Sequence, residues 1–133
     1  MIVLDASAAI EWLLQTPKAP AIEARLFSKG SQTPRWHVPH VIDVEVAQVL
    51  RKHVAKGIMS DARGYEALQD LLDLPLVRYP QDFLLPRVWE LRKNLTAYDA
   101  VYVALAEALE MPLLTCDGNI AGAPGHRARI DVI

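Results

Sequence analysis

Short apolar runs alternate with longer stretches of helical periodicity from one end of the chain to the other. Ile2 to Leu4, Trp36 to Val38, Leu76 to Tyr79, Pro112 to Thr115 and Ile130 to Val132 read as buried strands. Residues 7 to 15, 21 to 28, 41 to 56, 60 to 73, 83 to 94 and 97 to 110 read as helices, with breakers at Pro17, Pro20, Gly30, Pro34, Gly57, Pro75, Pro80 and Pro86. Strands that alternate with helices pair in parallel, so the expected architecture is an α/β sandwich with helices on both faces of the sheet. In the third helical stretch Ile42, Val46, Val49 and Leu50 form one apolar stripe that should face the sheet, with Glu45 at its margin. The stretch over 97 to 110 is apolar on nearly every side and should be deeply packed. The Gly/Pro-rich segments at 28 to 35 and 118 to 125 read as connections, and residues 1–133 as a single domain.

Composition narrows the class. The 133 residues, 52% hydrophobic and 23% charged, have a globular profile, outside the polar range that keeps chains disordered. The longest apolar run, Ala100 to Ala106, is far short of the roughly 18 residues a membrane span needs. The opening residues have no basic region, and Asp5 and Glu11 interrupt any signal-like apolar core, so a cytoplasmic protein is expected. The single cysteine, Cys116, excludes an internal disulfide framework. A formal net charge of −2 means that contact with a polyanion has to come from local basic groups.

The chemistry lies in four acids. Asp5 follows the first strand and Asp117 the fourth, so in a parallel sheet both stand at the carboxyl edge, where such sheets bind ligands. A helix connecting parallel strands begins at that same edge, which brings Glu45 and Asp99, both in opening turns of helices, to one rim with them. Like charges gathered there raise at least one carboxyl pKa, and a divalent cation removes the cost. Hard oxygen donors without nearby His or Cys favour Mg²⁺ or Mn²⁺ over Zn²⁺, and a partly hydrated Mg²⁺ points to phosphodiester chemistry. Each acid also has a structural reading. Asp5 would help to cap the first helix, with Ser7 as N-cap; Thr96 to Asp99 fits a capping box; Asp117-Gly118 is a common turn; Glu45 alone would be a solvated helix residue. The convergence of all four on one edge favours the site.

The segments Ile2 to Ala8, Glu45-Val46 ahead of Leu50, Leu95 to Ala100 and Leu113 to Asp117 carry a recognisable signature, most specific over residues 96 to 106. In them the chain resembles PIN-domain ribonucleases, in particular the VapC-type toxins of bacterial toxin-antitoxin pairs. The resemblance implies a three-layer α/β/α sandwich with a five-stranded parallel sheet and Mg²⁺-dependent endonucleolytic cleavage of RNA, with Mn²⁺ able to substitute. Asp5, Glu45, Asp99 and Asp117 match the family's catalytic, metal-binding quartet, and Ser7 and Thr115 its polar neighbours, which orient carboxylates and waters. It departs at Gln48, where Asn or Ser often stands, and at Gly118-Asn119, where charge is frequent. It also implies a homodimer and a cognate antitoxin protein that occupies the active-site groove.

Other residues have weaker claims. Trp12, Leu13, Leu14, Ile22, Leu26 and Phe27 would make an apolar groove for a partner helix, although such stripes are more often core. Arg51, Lys52 and Lys56, then Arg87, Arg92 and Lys93, then Arg127 and Arg129 are the local basic groups for RNA phosphates. Trp36, Trp89, Tyr98 and Tyr102 would stack on unpaired bases or pack in the core. Histidines 37, 40, 53 and 126 show no zinc spacing. Two alternatives stand beside the nuclease: a catalytically silent PIN-like domain that binds RNA or protein, and a receiver domain. The latter wants an acid at the end of the third strand, where Arg78-Tyr79-Pro80 stands, and a Lys after the last.

Overall fold

The computed structural model describes residues 1–27 and 36–133; the connection expected over 28 to 35 lies outside them. Five strands, β1 (Ile2–Leu4), β2 (Trp36–Pro39), β3 (Leu76–Tyr79), β4 (Leu113–Thr115) and β5 (Ile130–Val132), form one parallel sheet in the order β3-β2-β1-β4-β5. This order excludes the receiver alternative, whose sheet runs 2-1-3-4-5. β1 is central, with Val3 opposite His37 of β2 and Leu113 of β4, so the chain leaves in opposite directions across the sheet from the two neighbours of β1. All three β1 residues are buried, which requires cover on both faces.

That cover comes from α1 (Ala6–Leu13), α2 (Ala19–Leu26), α3 (Val41–Ala55), α4 (Asp61–Asp73), α5 (Leu85–Glu90), α6 (Ala97–Leu109) and the short α7 (Gly118–Gly122). Helix α6 crosses β1, β2 and β4 and is buried continuously from Ala100 to Glu107, as its all-round apolar sequence requires. Helix α1 rests on β4 and gathers α2, α3 and α4 around it. Of the groove expected for a partner helix, Leu13, Ile22 and Leu26 are core, and Trp12 and Phe27 stack edgewise on buried Trp36 at 5.2 and 5.3 Å between centroids.

Two expectations change. The helix read over 83 to 94 is a 3-10 turn, Asp82–Leu84, followed by α5 alone. Pro86 has no N–H and is tolerated only in a first turn, so regular helix begins at Leu85. The connection read over 118 to 125 contains α7, because the Asp117 side chain accepts from Asn119 N at 2.9 Å and starts a helical turn where Asp-Gly alone reads as a loop.

At the amino edge of the sheet, Glu107 has only 2% of its side chain exposed and takes two bonds from the Arg87 guanidinium, at 2.7 and 3.0 Å, and one from Arg127 N at 2.9 Å. Burial works to raise its pKa, but these donors hold the carboxyl below its ordinary range. Arg87 also bonds Glu90 and the Gly125 carbonyl, so this arginine staples α5 and the 125–127 segment to α6 rather than waiting for a phosphate.

Candidate active site

Asp5, Glu45, Asp99 and Asp117 line one cavity of about 540 Å³ at the carboxyl edge of the sheet, beside the paired ends of β1 and β4, from which the strand order runs outward in opposite directions. Such a divergence is the ordinary ligand position of an open parallel sheet. Asp5 emerges directly from β1 and Asp117 two residues beyond β4, while Glu45 is in the second turn of α3 and Asp99 in the first turn of α6. Four sites separated along the chain thus share a single opening, as the order of strands and helices predicts.

Asp5 is the most constrained of them. It is itself the N-cap of α1, correcting the expectation that Ser7 would be, because its Oδ1 accepts from Ala8 N at 3.0 Å. Ser7 Oγ donates to the same oxygen at 2.7 Å, and Thr115 Oγ1 donates to Oδ2 at 2.5 Å. Thr115 is wholly buried behind the site and also accepts from Asp117 N at 2.9 Å, while Ser7 Oγ accepts from Cys116 N at 3.0 Å. The two hydroxyls expected beside the quartet therefore tie the end of β4 to the start of α1.

Glu45 is oriented by a residue that sequence reasoning treated only as a stacking or core aromatic. Tyr102, 2% exposed, donates its hydroxyl to Glu45 Oε1 at 2.8 Å. A signal was available, since Tyr102 follows Asp99 by three residues and so shares its helical face. Asp99 stands where the Thr96 side chain caps α6 by accepting from Asp99 N at 3.2 Å.

Electrostatics follow from this crowding. Burial raises the carboxyl of Asp5 despite its donors, and the Asp99 charge adds to the rise. Burial likewise lifts Glu45, against the Tyr102 bond, with Asp5 and Asp99 adding to it, and lifts Asp99, with Asp117 adding to it. Among the described residues none of the four is in an ion pair, so no lysine or arginine there offsets their charge. Nor does any trio of acidic, His or Cys side chains there close into a ready-made metal cage. An all-oxygen rim of this looseness suits a partly hydrated Mg²⁺, which takes one or two carboxylates directly and completes its octahedron with water and substrate oxygens. No histidine lines the opening.

The other candidates divide. Trp36 is core, while Trp89 is 67% and Tyr98 62% exposed, with Arg92 stacked 4.6 Å above the Trp89 ring. Tyr98 lines the cavity; Trp89 does not.

These features place the chain among small α/β/α sandwiches with a carboxylate centre at the divergence of a parallel sheet. The PIN domain model matches residues 2–125. Ribonuclease VapC12 of Mycobacterium tuberculosis is 42% identical over 133 residues, which is 100% of this chain and 99% of that protein. In fold, the chain superposes with a TM-score of 0.69 both on M. tuberculosis VapC20, described as a sarcin-ricin loop cleaving toxin (15% identity, 96% of this chain and 97% of that one), and on VapBC2 from Rickettsia felis bound to a DNA fragment of its promoter (13% identity, 99% and 98%). The chain belongs to the PIN-domain family, within its VapC ribonuclease branch.

Proposed function

We propose that this chain is a Mg²⁺-dependent endoribonuclease, the toxin of a toxin-antitoxin pair, that hydrolyses RNA phosphodiester bonds at Asp5, Glu45, Asp99 and Asp117. The observation that carries the reading is the meeting of these acids in one cavity with no basic side chain among the described residues paired to them. Full-length relatives named ribonucleases support it.

Asp5, locked by Ser7, Thr115 and the α1 backbone, is the fixed reference of the site, and Glu45 is steered towards it by Tyr102. Asp99, in the first turn of α6, and Asp117, the N-cap of α7, complete the set that would hold Mg²⁺ or, in its place, Mn²⁺. A bound ion of this kind supplies Lewis-acid activation of a phosphoryl oxygen and of an attacking water. Ser7 and Thr115 keep the carboxylate oxygens pointed while the negatively charged substrate approaches. The charge of the rim also suits an antitoxin protein that lays a cationic side chain over it; the R. felis VapBC2 complex supports an antitoxin partner. We include in the proposal a homodimer, residues 1–133 as one catalytic domain, and cytoplasmic action; among the described residues no helix is long and apolar enough to cross a membrane.

Purified protein freed of any partner should cut single-stranded or loop RNA with Mg²⁺ or Mn²⁺ and stop when EDTA is added. Asp5→Asn and Asp99→Asn should each abolish cutting while the circular dichroism spectrum stays native. Variants as active as the parent would remove the four-carboxylate mechanism.

A further inference from the structure

The cavity has a second wall that the carboxylates do not use. Along α3, Val41 and Val44 turn to the opening beside Glu45, and Gln48 follows one turn later; across from them stands Tyr98, the residue before Asp99. Val44 is 70% and Tyr98 62% exposed, although α3 already buries a proper apolar stripe of Ile42, Val46 and Leu50 on its sheet side. Valine and a phenol ring held open to water beside a charged rim are unfavourable unless something apolar covers them. Among the described residues the wall is apolar and amide in character, with no lysine or arginine lining the opening.

Beyond Gln48 the character of the helix changes. Lys52 and Lys56 follow at intervals of four residues, both exposed, so that the row from Val44, which stands beside Glu45, runs from apolar through amide to basic. Each step is one helical turn, about 5.4 Å. A phosphodiester held at the acids brings its own nucleosides with it, since they are covalently attached. The apolar stretch is therefore where a base must lie if the strand runs along α3 towards Lys52.

Resting on the nuclease reading above, we propose that Tyr98 and Val44 form a base-binding subsite, which stacks the unpaired nucleobase next to the scissile phosphate while the Gln48 amide bonds its edge. Tyr98 supplies a π face that accepts any base. Gln48 has both donors and an acceptor, and so ranks bases by the pattern on their edges. A cavity of about 540 Å³ lies within the range of ordinary small-ligand sites and leaves room for a nucleotide beside the rim. The substrate class that follows is single-stranded or looped RNA, because a paired base cannot enter.

The test is a kinetic double cycle. A short single-stranded RNA is cut by the parent protein and the broken bond mapped; the same RNA is then made with an abasic residue on either side of that bond. The parent should lose about tenfold in kcat/KM with the abasic residue at one of the two positions, in the range known for base stacking on aromatic side chains. Tyr98→Ala, at an exposed position, should lose about as much on the intact RNA, chiefly through KM, and nothing further on the abasic RNA. Gln48→Ala should flatten the ranking of the four bases at that position. Equal abasic losses in the parent and Tyr98→Ala, or an unchanged Tyr98→Ala, would overturn the subsite while leaving the nuclease standing. A Tyr98→Ala protein that cuts normally but loses its antitoxin would assign the wall to that partner instead, and a parent that cuts no RNA would end both readings.

Discussion

Replacing Tyr102 by Phe isolates the hydroxyl that steers Glu45. The ring remains, so the surrounding core of α6 keeps its volume and only polar contacts are lost. The contact removed is the 2.8 Å bond to Glu45. Hydrogen bonds to charged groups contribute about 1.5–3 kcal/mol, but Glu45 is half-buried and water can replace the donor, so a net loss near the lower end, about 1.5 kcal/mol, is expected. At about 2.1 cal/mol/K per residue, a 133-residue chain unfolds with an entropy near 0.28 kcal/mol/K, and the melting temperature should fall by roughly 5 °C. A purely structural hydroxyl would do no more than this. If it also aims the carboxylate, Mn²⁺ affinity should fall by about 10- to 100-fold, the usual effect of removing a group that orients a ligand. Titrating Mn²⁺ by electron paramagnetic resonance on both proteins, beside thermal melts without metal, separates the two. A lowered melting temperature with Mn²⁺ affinity unchanged would refute the steering role.

Other expectations follow from the two charge environments of the fold. Asp5, Glu45 and Asp99 have raised folded-state pKa values, so the native state holds more protons than the unfolded one, and ion-free stability should fall as pH rises from the ordinary carboxylate range towards neutrality. Calorimetric scans without metal should show this loss, and millimolar Mg²⁺ at pH 7 should reverse it; a scan indifferent to Mg²⁺ would count against the site. Asp99→Asn should melt higher than the parent in EDTA and gain less from Mg²⁺, and a lower melting point in EDTA would contradict the repulsion assigned here. Glu107 behaves oppositely, because its pKa is lowered: the stability it contributes is present above an unfolded value of about 4.3 and is lost as pH falls through the folded one. Glu107→Ala removes the two bonds from Arg87 and the one from Arg127 N but leaves Arg87 its Glu90 and Gly125 partners, and should cost about 1.5–3 kcal/mol, roughly 5–10 °C in a thermal melt, with the kcat of the folded fraction unchanged.

The sheet was legible because its strands are short continuous apolar runs, such as Ile2-Val3-Leu4 and Leu113-Leu114-Thr115, which only burial on both faces explains. The rim was legible for a topological reason: strand ends and the starts of following helices fall on one edge, so Asp5, Glu45, Asp99 and Asp117 could be brought together before any coordinate was known. Local ends were harder. Asp5 rather than Ser7 caps α1, and Asp117 nucleates a helix too short to show periodicity. The Tyr102–Glu45 bond and the Val44–Tyr98 wall depend on how α3 leans towards α6, which no pattern within either helix encodes.

The position of β1 has a temporal consequence. Its first residues must pair with β4, Val3 opposite Leu113 and Asp5 N bonded to the Leu114 carbonyl, more than a hundred residues downstream. Long-range parallel pairing of this kind is late in folding. A chain still being translated therefore holds Asp5 without the strand and hydroxyl that fix it until residues 113 to 115 have followed. If the four acids act as proposed, cleavage competence waits on topology: it switches on only after translation has passed Asp117, more than a hundred residues beyond Asp5.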